Sequence, residues 1–345
     1  MEIKEYTKFD QVDVAVDLGV LPPPLPPLIK LKDFGANPPQ PPPLLIDGIL
    51  HRGCKMIIGA TSKSNKSWAL LDLGLSVAGG VDWWGHRTHM AKVAFLNFEL
   101  QPWAISQRIH SLCGNKPYAE SIGENFMLCN LRGRACDLAT IRPEIERIMA
   151  ETDIGLIIVD PAYKVLGDRD ENANGEITDL MNQFESLAQK TGAAIVFAHH
   201  FAKGDSTTKN AIDRMSGAGA WARDPDAILI LTPHEEEDCF SCTSILRNLP
   251  RLPDFVLRWN FPLLTKDTNL DPEALKTPQS KSKKGTTEEW HQFLKEYASQ
   301  NECRKLADFY PAFMKNFGCK RSVAADVLSE AVRISVITYN QGRYE

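Results

Sequence analysis

Short, almost continuously apolar runs alternate along the chain with longer segments whose apolar residues recur at helical spacing. The apolar runs predict strands at 55–60, 92–99, 126–131, 154–162, 193–200 and 226–233. The segments between them predict helices at 67–80, 104–114, 137–152 and 176–192. Strands that are apolar on both faces and alternate with helices are typical of a parallel sheet covered on both sides. The pattern therefore predicts an α/β fold.

Two more apolar runs, 242–250 and 254–261, follow without a helix between them and predict an antiparallel extension of the sheet. Cys239 and Cys242 form the only C-x-x-C among the eight cysteines, and no second pair follows at zinc-ribbon spacing. We therefore interpret this pair as ordinary residues of a strand or turn.

The two ends of the chain differ in texture from this core, which spans 45–264. Residues 1–44 contain the proline-rich stretches LPPPLPPLIK and NPPQPPPLLIDG, which predict a stiff, extended arm. A strap along its own or a neighbouring domain is favoured over a PxxP ligand for a partner. Residues 265–287 are polar and basic and predict a linker. Residues 288–345 predict three helices and a short hairpin, the order of a winged helix.

Composition restricts the class of protein. Of 345 residues, 43% are hydrophobic and 24% are charged, as in soluble globular proteins. The net charge of −5 supplies no overall attraction to nucleic acid, so any such contact needs a local basic patch. The polar N-terminus MEIKEYTKFD is unlike a signal peptide, and no run approaches the roughly 18 apolar residues of a membrane span. We expect a cytoplasmic protein with no membrane association.

The stretch GATSKSNKSW, residues 59–68, has the position of a phosphate-binding loop between a predicted strand and a predicted helix. Such a loop needs inward backbone N–H groups, a lysine for phosphate and a hydroxyl for Mg²⁺, usually spelled G-x-x-x-x-G-K-[ST]. Lys66 and Ser67 match this pattern, but Asn65 stands at a glycine position. Asn is enriched at positive φ, so we expect Asn65 to adopt that conformation and Gly59 to supply the tight turn. The predicted nucleotide-binding residues are Gly59, Thr61, Ser62, Lys63, Ser64, Asn65, Lys66, Ser67 and Trp68.

Three further predicted strands end in side chains that suit nucleotide hydrolysis. Glu99 can activate a water, and Asp160, at the end of LIIVDP, can hold Mg²⁺. His199 and His200 end the run IVFAHH and can contact a phosphate. Sites in open α/β sheets lie at the carboxyl ends of the strands, so we predict that ATP and Mg²⁺ bind there. The predicted metal ligands are Ser67 and Asp160, and the predicted catalytic residues are Glu99, Asp160, His199 and His200.

The motifs GATSKSNKS, FLNFEL, LIIVDP and FAHH, followed by MSGAGAWARDPDAILIL, resemble the RecA-like ATPases of the plasmid RepA-type hexameric helicase group, often described as AAA family ATPases. The resemblance covers roughly residues 45–262. It implies a RecA-like core and a homo-oligomer, with a hexamer favoured. It also implies that Glu99 is the catalytic base and that one of His199 and His200 senses the γ-phosphate. The loop departs from the family pattern in its missing glycines, so a nucleotide-binding scaffold without turnover stays an alternative.

The resemblance further implies a DNA-facing loop in FAKGDSTTKNAIDR and an arginine finger supplied by a neighbouring subunit. The DNA-contacting candidates in that loop are Lys203, Lys209 and Arg214. The finger candidates are Arg223 and Arg247. In the predicted winged helix, Lys320 and Arg321 begin the third helix, where DNA contacts are made, although many winged helices bind protein instead.

These features lead to two hypotheses of different classes. The first is an ATP-driven, helicase-like motor acting on DNA, in replication or mobilisation of a plasmid, phage or genomic island. The second is a DNA-tethered ATPase switch, loader or regulator without unwinding activity. Strand displacement driven by ATP separates the two.

Overall fold

A computed structural model describes residues 25–36, 38–61, 64–134, 137–200, 219–276, 286–319 and 321–345. A small antiparallel pair, β1 (Leu44–Ile46) and β2 (Leu50–His51), precedes the main sheet. Within the described residues the main sheet has nine strands. They are β3 (Lys55–Ala60), β4 (Lys92–Asn97), β5 (Phe126–Asn130), β6 (Ile154–Asp160), β7 (Ala194–His200), β8 (Ala227–Pro233), β9 (Cys239–Leu246), β10 (Phe255–Asn260) and β11 (Leu263–Asp267).

The main sheet is parallel at its centre and antiparallel at one side. Its strand order is β11-β10-β9-β8-β3-β7-β6-β4-β5. All pairings from β8 through β3 to β5 are parallel, and β9, β10 and β11 add antiparallel strands beyond β8. The predicted α/β class is therefore confirmed, with its parallel sheet and its antiparallel extension. Cys239 and Cys242 lie on β9, as their interpretation as strand residues requires.

The helices alternate with the strands. They are α1 (Leu31–Ala36), α2 (Lys66–Gly79), α3 (Pro102–Asn115), α4 (Ile122–Asn125), α5 (Leu138–Glu151), α6 (Asn174–Thr191), α7 (Ala220–Arg223), α8 (Thr287–Gln300), α9 (Tyr310–Phe317) and α10 (Arg321–Arg333). Short 3₁₀ turns lie at Ala162–Val165 and Leu306–Phe309. No helix in the described part of the chain is long and apolar enough to cross a membrane.

Two apolar layers cover the two faces of the sheet because side chains alternate along each strand. On β3, Met56 and Ile58 pack in the layer that contains the buried face of α2. Ile57, between them, packs in the layer that contains Phe184 of α6. Phe184 stacks on Phe197 of β7 with ring centroids 5.0 Å apart. The predicted arrangement of helices on both faces is confirmed.

Residues 286–345 have an apolar core of their own. Trp290 of α8, Phe313 of α9 and Leu328 of α10 are buried in it. The chain ends in a hairpin of β12 (Tyr339–Asn340) and β13 (Arg343–Tyr344). Three helices and a hairpin are the elements that the sequence predicts here.

The antiparallel extension reaches further along the chain than the sequence suggests. Strand β11 runs to Asp267, three residues into the segment interpreted as a linker. Arg258 of β10 holds Asp267 through a 2.9 Å ion pair between Nε and Oδ2. A polar composition therefore concealed an edge strand whose partners are charged. Residues 277–285 of the same segment lie outside the described residues.

Gly74 marks the closest approach of α2 to the sheet. A Cβ atom at this position would lie 2.7 Å from a ring carbon of Phe126 and 3.1 Å from a methyl carbon of Ile158. We predict that Gly74→Ala lowers the free energy of unfolding by about 1–3 kcal/mol, because overpacking displaces the Phe126 ring. Chemical denaturation measures this. Gly114→Ala in α3 meets no atom within 4 Å and is the control; equal losses in the two variants would contradict the packing explanation.

Candidate nucleotide-binding site

The connection from β3 to α2 forms the predicted loop. Asn65 has φ 57° and ψ 23°, the left-handed conformation expected of it, immediately before α2 begins at Lys66. The prediction that Gly59 supplies the tight turn is wrong. Gly59 lies inside β3, where it pairs with His199 on one side and Ile230 on the other. The chain therefore reverses later, at Asn65, after the strand has been fully paired. Ser62 and Lys63 lie outside the described residues.

Lys66 is held by the loop that precedes it. Its Nζ donates hydrogen bonds to the carbonyl oxygens of Ala60, at 3.1 Å, and Thr61, at 2.7 Å. The side chain is buried, and this burial lowers the pKa of Lys66 to about 8, although Asp160 and Glu99 act in the opposite direction. Ser64 closes the same turn by donating its hydroxyl to the Thr61 carbonyl at 2.8 Å. A buried ammonium with only carbonyl partners is ready to exchange them for phosphate oxygens.

Asp160 ends β6 at the floor of the site, and it is buried. Burial raises the pKa of its carboxyl group to about 6; the Ser67 hydroxyl hydrogen bond opposes the shift, and Glu99 adds to it. Within the described residues, Oδ2 of Asp160 is buried without a hydrogen-bond partner. An orphaned carboxylate oxygen beside a hydroxyl is an oxygen donor set that suits a hard cation such as Mg²⁺. The residues that the sequence predicts as metal ligands therefore fit this ion.

A cavity of about 300 Å³ collects most of the predicted site at the carboxyl ends of the parallel strands. Glu99, just beyond β4, lines it from one side, and His200, at the end of β7, from another. The predicted residues that line the cavity are Ser64, Asn65, Lys66, Ser67, Trp68, Glu99, Asp160 and His200. Gly59 and Thr61 belong to the strand and loop behind it.

The two histidines at the end of β7 have different surroundings, because neighbouring side chains on a strand point to opposite faces. His200 lines the cavity, and burial lowers its pKa, with Lys66 adding to the effect. His199 is buried and stacks on Trp221 with ring centroids 4.3 Å apart. Only His200 of this pair therefore lines the cavity that holds Lys66.

Arg108 of α3 lines the cavity and was missed by sequence reasoning. Its guanidinium carbon lies 4.8 Å from the centre of the Trp68 ring. Burial lowers the pKa of Arg108, while the charges of Asp160 and Glu99 oppose the shift. A signal was present in the sequence. Arg108 shares a helix face with buried Ile105 and Leu112, three residues before it and four after it, and a charge on an apolar face needs a partner.

Trp68 belongs to an aromatic cluster at the mouth of the cavity. Its ring centroid lies 5.7 Å from that of Trp259 and 5.5 Å from that of Phe261. Phe261 is 67% exposed, although it is a large aromatic residue. The antiparallel extension, which supplies Trp259 and Phe261, is therefore part of the site's wall.

The remaining predicted residues lie away from this cavity or outside the described residues. Arg223 lines a separate polar cavity with Asn174 and Thr178. Arg247 donates a hydrogen bond to the Arg223 carbonyl and lies 3.9 Å from Asp226. Arg321 is exposed at the start of α10, over the Tyr310 ring at 5.3 Å. Lys203, Lys209, Arg214 and Lys320 lie outside the described residues.

A protein-family model described as "AAA domain" matches residues 22–206, more than half of the chain. The chain belongs to the AAA domain family. The match spans the loop, Glu99, Asp160 and both histidines. Together with the parallel sheet and the cavity at its carboxyl edge, membership of the AAA domain family identifies the main sheet and its helices as a RecA-like ATPase core.

Two solved structures similar to this AAA domain protein are matched over most of their own length. One has a title that begins "ATPase Domain", with 11% identity and a TM-score of 0.46, over 60% of this chain and 82% of that chain. The other is titled "Crystal structure of KaiC-like protein PH0186 from hyperthermophilic archaea Pyrococcus horikoshii OT3", with 9% identity and a TM-score of 0.47, over 65% of this chain and 93% of that chain. Both scores are below 0.5, so neither likeness bears on function.

The buried Asp160 carboxylate gives the protein a pH-dependent stability. Because its pKa is raised in the folded state to about 6, the folded protein binds this proton more tightly than the unfolded chain. The group therefore favours folding at pH 4 and opposes it as the pH rises through 6. We predict that Asp160→Asn raises the free energy of unfolding at pH 8 by about 1–3 kcal/mol.

Denaturation of both proteins between pH 4 and pH 8 measures this effect. The difference between variant and parent should shrink towards pH 4, where both side chains are neutral. Asp168→Asn, at an exposed position, is the matched control and should leave the free energy of unfolding unchanged. A variant at Asp160 that is less stable than the parent at pH 8 would contradict the assignment of a strained, buried carboxylate.

Proposed function

We propose that the protein binds and hydrolyses ATP as an oligomer that acts on DNA, as a helicase-like motor in replication or mobilisation of a plasmid, phage or genomic island. The observation that carries the proposal is the single cavity lined by Lys66, Ser67, Glu99, Asp160 and His200. These residues come from four separate stretches of the chain. Each supplies a group that phosphoryl transfer to water requires.

The phosphates of ATP bind at the start of α2. The Lys66 ammonium leaves its two carbonyl partners and pairs with phosphate oxygens, and the first backbone N–H groups of the helix add further donors. The Ser67 hydroxyl and the Asp160 carboxylate hold Mg²⁺. The ion neutralises charge on the phosphates and thereby lowers the barrier to their cleavage. Asp160 gains a counter-charge for the oxygen that is otherwise buried alone.

Hydrolysis needs a base and a group that detects the terminal phosphate. Glu99 lines the cavity and is exposed within it, so its carboxylate takes a proton from the attacking water. His200 lines the same cavity and contacts the terminal phosphate. Arg108 supplies a second cation from the same chain, which compensates Glu99 and Asp160 before the nucleotide binds.

The adenine base binds at the aromatic cluster. Trp68 lines the cavity, and Phe261 exposes its ring beside it. Flat aromatic rings and a guanidinium group stack on nucleobases with little dependence on base identity. Trp68, Phe261 and Arg108 therefore form the base subsite.

Action on DNA and assembly into a ring rest on residues that the site itself does not contain. Lys203, Lys209 and Arg214 follow β7 directly in sequence and are assigned to a DNA-facing loop. Arg223 and Arg247 are assigned as arginine-finger candidates for a neighbouring subunit. Residues 288–345 are assigned as a winged helix, with Lys320 and Arg321 as its DNA contacts.

A switch, loader or regulator without unwinding activity is the second candidate function. It is favoured by the exposed face of α10, where Asp326 and Glu330 alternate with Arg321 and Arg333. Glu330 is already paired with Arg333 at 2.6 Å. A helix with two carboxylates on its exposed face is repelled by DNA phosphates. This surface suits a protein partner better than a major groove.

Substitution of the loop lysine and of the catalytic glutamate tests the proposed chemistry. Lys66→Ala should weaken ATP binding about 100-fold or more, because the phosphate loses its charge partner in a buried site. Glu99→Gln should keep binding and lower turnover by about 10²–10⁴-fold. Calorimetry and a phosphate-release assay measure these two effects. Lys92→Ala, exposed at the opposite end of β4, is the control for a lost lysine charge; unchanged affinity in Lys66→Ala would refute the loop assignment.

The same proteins separate the two candidate functions. Turnover should rise when single-stranded DNA is added, and the parent should displace a strand from a forked duplex in the presence of ATP. Glu99→Gln should not displace it. Turnover that is insensitive to DNA, with no displaced strand, would support the switch and refute the motor.

The two histidines should respond differently to substitution. His200→Ala should lower ATP turnover by about tenfold or more with little change in the free energy of unfolding, because its ring faces the cavity. His199→Ala should destabilise the fold, because its ring stacks on Trp221 in a buried layer. Thermal denaturation and steady-state kinetics measure both. Similar effects of the two substitutions on turnover, at equal stability, would contradict the division of roles.

A further inference from the structure

A segment before the core exposes an unusual amount of apolar surface. We call residues 25–36, LPPLIKLKDFGA, the leucine segment. Every residue of it is exposed, and Leu25, Leu28 and Leu31 are each 84% or more exposed. Ile29 and Phe34 add to the same surface. Apolar side chains clustered on a surface in this way mark a binding segment.

A stiff spacer separates the leucine segment from the body of the protein. The residues PPQPPP, 38–43, are all exposed and lead directly into β1. Proline-rich chain of this kind extends about 3.1 Å per residue, so the spacer covers roughly 19 Å. Its end is anchored where His51 Nδ1 bonds the Pro42 carbonyl at 2.6 Å. A rigid rod anchored at its base holds the leucine segment away from its own chain and presents it to another molecule.

An apolar groove of about 480 Å³ lies between α5 and the edge of the sheet. Strand β5 is the outermost strand on this side. Leu128 of β5 and Ile148 of α5 line the groove, and they are 37% and 43% exposed. The groove is lined almost entirely by aliphatic, Met and Cys side chains, with Arg134 and Glu144 as the charged exceptions.

We propose that the leucine segment of one copy binds in the groove of a second copy. Each chain then carries both halves of one contact, an unburied apolar segment and an unfilled apolar groove. Charge is complementary as well: the leucine segment carries two lysines and one aspartate, whereas α5 carries three glutamates and two arginines. Leu28 and Leu31 enter the groove, and the flanking lysines meet the carboxylates along α5.

This contact is heterologous, since a segment meets a different surface on its partner. Repetition of such a contact builds a closed ring or an open filament rather than a two-fold dimer. The proposal deepens the oligomer of the proposed function but does not require nucleotide, because neither the segment nor the groove touches the phosphate cavity. Its failure and the failure of the ATPase assignment can therefore be told apart.

Cross-linking in the full chain tests the proposal directly. Cys129 is exposed on β5 and lines the groove. In the Ile29→Cys variant, a short bis-maleimide should join the new thiol to Cys129 of another copy and give a ladder of covalent oligomers on a denaturing gel. Adding Cys129→Ser to the same variant should abolish the ladder, although the exposed Cys113 remains.

Light scattering of unlabelled variants gives an independent readout. L28D/L31D and Ile148→Glu should each lower the mass of the assembly, while an equimolar mixture of the two should recover pairs, because one supplies an intact groove and the other an intact segment. Ile334→Glu, at 47% exposure in the C-terminal unit, is the matched control and should keep the parent mass. Cross-links confined within one chain, or assembly unchanged in both variants, would overturn the proposal. ATP affinity measured on the same samples reports on the phosphate site separately.

Discussion

The meeting of a buried carboxylate and a buried ammonium at one edge of the sheet is the constraint on which the site depends. Asp160 and Lys66 come from strands and loops that are not neighbours in sequence, and each is desolvated in the folded chain. Burial shifts the pKa of both towards the neutral form. The folded protein therefore holds its polar groups at a cost that a nucleotide and its metal ion would relieve. Such strain is typical of functional sites.

The loop shows how a phosphate cradle forms without its usual glycines. The strand β3 continues through Gly59 and Ala60, because both are paired on either side by β7 and β8. The reversal is thereby delayed to Asn65, whose side chain tolerates the left-handed conformation better than most. Lys66 and Ser67 then open α2 with the spacing that the phosphate site requires. The position of the turn was set by strand pairing and not by the position of a glycine.

Around this site the molecule has two kinds of surface that one chain leaves unfinished. The aromatic cluster at Trp68 and Phe261 opens onto the cavity and suits a flat base. The leucine segment and the groove beside β5 face other molecules, and neither is filled by its own chain. The first surface concerns the substrate and the second concerns assembly. Both arise because an α/β sheet must end somewhere, and its edges and strand ends are where partners bind.

The sequence by itself determined the α/β class, the strand and helix order, the left-handed Asn65 and the set of residues at the carboxyl ends of the strands. These features follow from local patterns, since apolar runs, glycine stops and strand-end polar residues act over a few neighbouring positions. Only the tertiary structure decided which of two adjacent histidines lines the cavity, that Arg108 belongs to it, and that β11 extends into a polar segment. Those outcomes depend on strand register and on contacts between distant parts of the chain, which no short stretch of sequence records.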